Sequence, residues 1–189
     1  MELLAGFLFS VCLVLSECKF GPYPMKAYSI RKFLDTTEPI WTVYTTGPTT
    51  RRCEVDEVLD VTKASVYIKR HFFLRGKQMS TRITGTFSPY RTKHMEIHIS
   101  GSPYIVSEDI LYLSAKLDCA VIMTTTNIER KKKHTYDVRV RNSAISLSPG
   151  ADCLARFRDL VNWEQVIYTR DCQHVLNKKP TSLLTNKIS

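Results

Sequence analysis

The sequence predicts a mainly β protein, built as a sandwich or an antiparallel barrel with a short helix before the strands and another after them. From Trp41 onward, apolar residues recur at every second position in short runs, which is the pattern of strands with one buried face. About seven to nine such runs, at intervals of roughly 8–12 residues, are typical of sandwiches and barrels. A helical period occurs only near the two ends of the chain.

The strand pattern is clearest in the middle of the chain. In the run 65–74 the even positions are apolar except for Arg70. The predicted strands after the one that begins near Trp41 are Ser65–Leu74, Met79–Phe87, Lys93–Ser100, Tyr104–Val106, Ile110–Leu113, Cys119–Thr126, His134–Arg141 and Ala144–Leu147. Turns are predicted where Gly, Pro or a run of charge interrupts the alternation, at Gly76, Ser88-Pro89, Gly101–Pro103 and Arg130–Lys133.

Two short helices flank the strands. Apolar residues at Ile30, Phe33 and Leu34 have helical spacing, so we expect a helix that ends near Asp35. After Pro149-Gly150, one helical face carries a second apolar set, with Asp152 as the expected N-cap. That set is Leu154, Phe157, Leu160 and Val161.

The chain is expected to comprise a secretory signal at residues 1–18, one domain at 19–176 and a polar tail at 177–189. The 13 residues from Leu3 to Leu15 carry no charge. This run is shorter than the about 20 residues that span a bilayer, and it is typical of a signal's apolar region. No later run is long enough to cross a membrane. We therefore expect a secreted, extracellular monomer with no membrane span.

The cysteines agree with an oxidising compartment. Six are present, at positions 12, 18, 53, 119, 153 and 172, and loss of the signal leaves four, an even number that suits two disulfides. Four cysteines can pair in three ways, and their spacing does not choose among them. No CxxC pair occurs, so no metal site is predicted.

No motif indicates catalysis. The chain has no phosphate-binding loop, GxGxxG fingerprint or GxSxG elbow. The segment His94–His98 superficially resembles a zinc-protease motif, but its alternation indicates a strand, which separates the two imidazoles by about 13 Å. We therefore expect a protein that is not an enzyme and needs no cofactor.

The formal charge of +9, with a pI near 9.3, favours anionic partners. Removal of the signal raises the charge to +11, because it takes away Glu2 and Glu17. The bases cluster at Arg51-Arg52, Lys69-Arg70, Arg130–Lys133 and Lys178-Lys179. The loop at 130–133 therefore indicates either a basic hairpin tip that only solubilises the surface or a site for a glycosaminoglycan or an acidic protein, because a secreted protein does not meet nucleic acid.

Three segments resemble the tick salivary lipocalins of the histamine-binding protein family: Glu38–Trp41, Leu117–Ile122 and Asp152–Phe157. The resemblance extends from about residue 27 to Cys172 and includes the order of the four cysteines. It implies an eight-stranded antiparallel lipocalin barrel with disulfides Cys53–Cys172 and Cys119–Cys153. It also implies a protein that sequesters a small mediator of host inflammation, such as histamine or serotonin.

The resemblance implies an amine site in which carboxylates pair with an ammonium group and aromatic rings enclose it. The family's amine signature differs here, because Ala120 replaces one acid, Asp137 is shorter than the family's glutamate, and Val138 replaces an aromatic residue. The candidate residues are Glu38, Trp41, Asp109, Tyr136 and Asp137.

Two alternatives remain open. If Arg70 and Arg139 point inward, they favour a fatty acid or eicosanoid, whose acid group they would hold. A sterol is included in this alternative. In the second alternative, side chains fill the barrel interior, and the chain binds a glycosaminoglycan or a protein through its basic surface. The 19 aromatic residues are enough to line a cavity or to fill a core.

Overall fold

The computed structural model describes residues 28–104, 106–129, 131–146 and 150–177. The expected signal at 1–18 and the tail from 178 onward lie outside these residues. The elements, in chain order, are α1 (Ile30–Leu34), β1 (Ile40–Thr45), β2 (Arg51–Val61), β3 (Ser65–Leu74), β4 (Lys77–Phe87), β5 (His94–Ile99), β6 (Val106–Leu113), β7 (Cys119–Ile128), β8 (Lys131–Arg141), α2 (Ala151–Arg158), β9 (Gln165–Val166) and α3 (His174–Asn177). Single 3₁₀ turns occur at Asn142–Ala144 and Arg170–Gln173.

The strands form a closed antiparallel barrel, as the resemblance implies. Neighbours along the chain pair from β2 to β8, β1 pairs with β8, and β1 also pairs with β2 at Ile40 and Trp41. Further along, β1 separates from β2, and Ile167 bridges the gap by bonding to Val43 on β1 and to Cys53 on β2. The short strand β9 lies beside β1 next to this bridge.

One end of the barrel is closed by α1. Ser29 caps this helix by accepting a hydrogen bond from the Lys32 amide, and the apolar residues predicted for it are buried. The Ile30 amide donates to Thr92 in the β4–β5 turn, and Arg141 donates to the carbonyls of Lys32 and Phe33. The opposite end is therefore the open one, with the β1–β2, β3–β4, β5–β6 and β7–β8 connections around it.

Apolar residues are buried on both sides of the barrel wall. One cluster fills the closed half of the interior and includes Phe33, Ile68, Met95 and Ile122. A second cluster lies outside, between the wall and the C-terminal segment. Both disulfides join the wall to that segment: Cys53–Cys172 from β2 and Cys119–Cys153 from β7 to α2. No described helix is long and apolar enough to span a membrane.

Several expected strand boundaries were wrong. Val106, the last residue of the run Tyr104–Val106, and the run Ile110–Leu113 belong to one strand, β6, because the polar residues between them are also part of it. The run that begins at Ala144 starts with a 3₁₀ turn instead of a strand. The strand β2 was not among the runs singled out, because its inward residues Glu54 and Asp56 are charged and hide the apolar alternation.

The helix α2, which corresponds to the predicted C-terminal helix, also differs from expectation. Its N-cap is Gly150, whose φ of 61° is unfavourable for most other residues, and Asp152 lies in the first turn. The helix ends at Arg158, so Leu160 lies beyond it and is half exposed. The face that packs against the barrel consists of Cys153 and Phe157.

Candidate functional site

The open half of the barrel contains a cavity of about 640 Å³, within the usual size of small-molecule sites. Its apolar lining comes mainly from β4, β5 and β6, including Ile83, Ile97, Ile99 and Val106. Its polar lining comes mainly from β1, β2, β7 and β8. The polar side chains that line it are Thr42, Thr45, Thr49, Thr50, Arg51, Glu54, Arg70, Glu108, Thr124, Thr126, Lys133, Thr135, Asp137 and Arg139.

Arg139 on β8 forms the first charge group of the cavity. Its guanidinium makes two parallel hydrogen bonds to the Glu108 carboxylate on β6, over the intervening strand β7. It also lies 3.2 Å from Asp137, two residues earlier on the same face of the strand. Only 1% of Arg139 is exposed, so these contacts hold it in place.

Arg70 on β3 forms the second charge group. Its Nε and Nη2 donate to the two carboxylate oxygens of Asp56 at 2.6 and 2.7 Å. Its Nη1 lies 3.4 Å from Glu54. Glu54 also accepts hydrogen bonds from Thr42 and from Arg51 at the rim of the cavity.

The buried groups do not balance in charge. The described barrel interior holds four buried carboxylates, from Glu54, Asp56, Glu108 and Asp137, against the two arginines. Fully ionised, they leave two negative charges in excess of the buried arginines, and the rim cation Arg51 reduces this excess to one through its pair with Glu54. An excess of buried anionic charge is unfavourable unless a cation compensates it or a proton is taken up.

The pKa values show which of the four carboxylates is least compensated by positive charge. Burial opposes ionisation of Asp56, but the charge and the hydrogen bonds of Arg70, together with the charge of Arg139, outweigh it, so the pKa of Asp56 lies below its ordinary value. Burial raises the pKa of Asp137 above its ordinary value, and the negative charges of Glu54 and Glu108 raise it further. Arg139 and the Thr45 hydroxyl, which donates to Asp137 at 2.7 Å, only partly offset this. Asp137 is therefore incompletely compensated.

Three of the seven residues predicted for ligand binding come together in this cavity: Arg70, Asp137 and Arg139. Both arginines point inward, and both are already bound to carboxylates. Glu54, Asp56 and Glu108 were not predicted as site residues. Glu54 and Asp56 alternate with Cys53 and Val55, so a period of two is present in β2, but charged residues occupy the inward positions that apolar residues fill in the other strands.

The other four predicted residues lie elsewhere. Trp41 is completely buried in the outer cluster, against Tyr168, and its indole N–H donates to Asn142. Tyr136 also packs against that cluster, because it precedes the inward Asp137 by one residue. Asp109 follows the inward Glu108 and bonds to His94.

Glu38 precedes β1, at the closed end. It accepts a hydrogen bond from the Ser143 amide, which lowers its pKa. Glu38, like Trp41, Tyr136 and Asp109, does not line the cavity.

No protein-family model and no curated protein matches the chain in sequence. Solved structures do resemble it. Lobster apocrustacyanin A1 is 13% identical, with a TM-score of 0.56 over 74% of this chain and 81% of that one. The siderocalin Ex-FABP, described as having dual ligand specificities, is 11% identical, with a TM-score of 0.53 over 71% and 90%.

The possum milk whey lipocalin trichosurin, solved with bound 4-ethylphenol, is 12% identical, with a TM-score of 0.50 over 67% of this chain and 88% of that one. At these identities the likeness concerns the fold alone. It agrees with the closed eight-stranded barrel and its flanking helices. The chain therefore has the lipocalin fold.

Proposed function

We propose that the chain is a secreted binding protein that holds a small cationic amine, such as histamine or serotonin, in its barrel and catalyses no reaction. The observation that carries the proposal is the excess of buried carboxylates over arginines in the barrel interior. Secretion is supported by the two disulfides, which persist in oxidising compartments, and by the apolar run at 3–15. The resemblance to tick histamine-binding lipocalins points the same way.

The cavity suits such a ligand chemically. An ammonium group placed beside Asp137 and Glu54 would compensate the excess charge, and a charge-assisted hydrogen bond contributes about 1.5–3 kcal/mol. The threonine hydroxyls beside them, Thr45 and Thr42, already orient these carboxylates by donating to them. The isoleucines of β4 and β5 offer an apolar surface for the ring of the amine.

A fatty-acid or eicosanoid ligand is less well supported. Arg70 and Arg139 each already form a two-point pair with a carboxylate. A ligand acid group would have to displace Asp56 or Glu108 and would add a further unbalanced negative charge. Burial of such a charge without a partner is unfavourable.

Calorimetric titration of the disulfide-bonded chain tests the proposal. We expect submicromolar binding of histamine or serotonin and no binding of leukotriene or arachidonate. Asp137→Asn is expected to weaken amine binding by about tenfold or more, since loss of a charged partner costs at least about 1.4 kcal/mol.

Asp60→Asn is the matched control, because Asp60 is an exposed carboxylate of β2 that does not line the cavity. It should bind the amine as the parent chain does. Tight lipid binding without amine binding would contradict the proposal and assign the site to the arginines. Absence of binding with every ligand tested would also contradict the proposal and would indicate a purely structural role for the barrel.

A further inference from the structure

The rim of the open end carries charge of the opposite sign to the cavity beneath it. Seven basic residues, which we call the basic arc, surround part of the opening: Arg51, Arg52, Arg75, Lys77, Lys131, Lys132 and Lys133. All seven are exposed. Among the described residues of the four connections and the adjoining strand ends, Glu129 is the one acid. The open end is therefore strongly cationic.

The arc has two parts on the same side of the opening. One part lies on β8, and the other lies on β2, the β3–β4 turn and β4. Between them are β1, which contributes no base, and Ile167, which bridges β1 and β2. The arc therefore covers more than four interstrand steps, or at least about 19 Å. Tight hairpins carry its two ends, with Leu74 paired to Lys77 and Ile128 paired to Lys131. The β1–β2 connection at 46–50 and the β5–β6 connection at 100–104 carry no charge. The positive charge therefore lies on the side of the opening opposite the β5–β6 connection.

These bases are largely free of intramolecular partners. Within the described part of the chain, Arg51 is the one arc residue with a carboxylate in salt-bridge range, that of Glu54. The closed end is also basic but carries more acids: Lys32, Lys63, Arg91, Lys93 and Lys116 there are interspersed with Asp35, Glu38 and Asp118. A row of unpaired cations in one curved band is complementary to a chain of regularly spaced anions.

We propose that the basic arc binds a sulfated polysaccharide of the glycosaminoglycan class, laid across the rim of the barrel. Individual exposed ion pairs contribute little, so a partner with many linked anions is needed to engage several at once. A chain with two disulfides belongs to an oxidising compartment, where it does not meet nucleic acid or the anionic cytoplasmic leaflet of the membrane. This proposal does not depend on the ligand of the cavity.

Heparin affinity chromatography with a sodium chloride gradient tests the proposal, followed by calorimetry with a heparin fragment. The arc variant combines three substitutions: Lys77→Gln, Lys131→Gln and Lys132→Gln. The control variant makes the same change of net charge at the closed end: Lys32→Gln, Lys63→Gln and Lys116→Gln. All six side chains are exposed, and none lines the cavity, so both variants are expected to fold and to bind the cavity ligand unchanged.

We expect the parent chain to be retained at physiological salt and the arc variant to bind heparin about tenfold more weakly, for the loss of three exposed ion pairs. The control variant should elute where the parent does. An equal shift in both variants would show that net charge alone is responsible and would overturn the proposal. Elution of the parent chain below physiological salt, or equal binding to phosphatidylserine vesicles, would overturn it too.

Discussion

Asp137 shows how a single buried carboxylate can couple ligand binding to pH. Its pKa lies above the ordinary aspartate value of 3.8, because burial and two neighbouring carboxylates disfavour its charge. It therefore takes up a proton at a higher pH in the folded chain than in the unfolded one. Ionised Asp137 lowers stability at neutral pH, and this cost disappears as the pH falls through the raised pKa. The ionised form is also the one that a cationic ligand needs.

Serotonin binding is therefore expected to weaken on acidification while the pH is still above 3.8. Serotonin is the suitable probe because its single amine stays protonated over this range. Titration calorimetry at stepwise lower pH measures the effect. Asp137→Asn should flatten the profile and Asp60→Asn should leave it unchanged. A decline that begins only below 3.8, or one that persists in Asp137→Asn, would contradict this assignment.

Strand β4 illustrates how the closed half of the barrel is filled. Gly85 lies between β3 and β5, where a Cβ atom would meet the side chain of Val66 at 2.7 Å and that of Met95 at 3.0 Å. Both neighbours are buried in the inner cluster. The glycine thus makes room for larger side chains on the adjoining strands.

Gly85→Ala is expected to destabilise the chain by about 1–3 kcal/mol, the usual cost of overpacking a filled core. Urea denaturation measures the change. Thr86→Ala, at the exposed next position of the same strand, should have a much smaller effect. Unchanged stability of Gly85→Ala would mean that Val66 and Met95 shift without cost.

The two disulfides constrain the whole molecule to different extents. Cys53–Cys172 closes a sequence separation of 119 residues, and Cys119–Cys153 closes one of 34. Both hold the C-terminal segment over the outer cluster. Without that segment, the face of β1 that carries Trp41 would be exposed.

Replacing both cysteines of either pair with alanine is expected to cost about 2–5 kcal/mol. Loop-closure entropy makes the loss of Cys53–Cys172 the larger of the two by about 1 kcal/mol. Urea denaturation of the two double variants, compared under the same conditions, measures the difference. The opposite order would show that local packing outweighs chain entropy here.

The residue pattern predicted a mainly β fold, the first helix and most of the strands, while the closed eight-stranded barrel was implied by the resemblance. Alternation such as that of Met95 and Ile97 indicates a strand with one buried face, and it can be recognised within the strand itself, whichever strand pairs with it. The pairing of the four cysteines came from the resemblance alone. The signal segment and the tail stay predictions.

Tertiary structure alone decided which charged residues share the cavity. Strand β1 is buried on both faces, by the barrel interior and by the C-terminal segment, so its pattern does not reveal that Thr42 points inward and Trp41 outward. In β6 the adjacent acids Glu108 and Asp109 point in opposite directions, and a register change of one residue exchanges them. Pairing over an intervening strand, as between Arg139 on β8 and Glu108 on β6, joins residues far apart in the chain, and local periodicity carries no information about it.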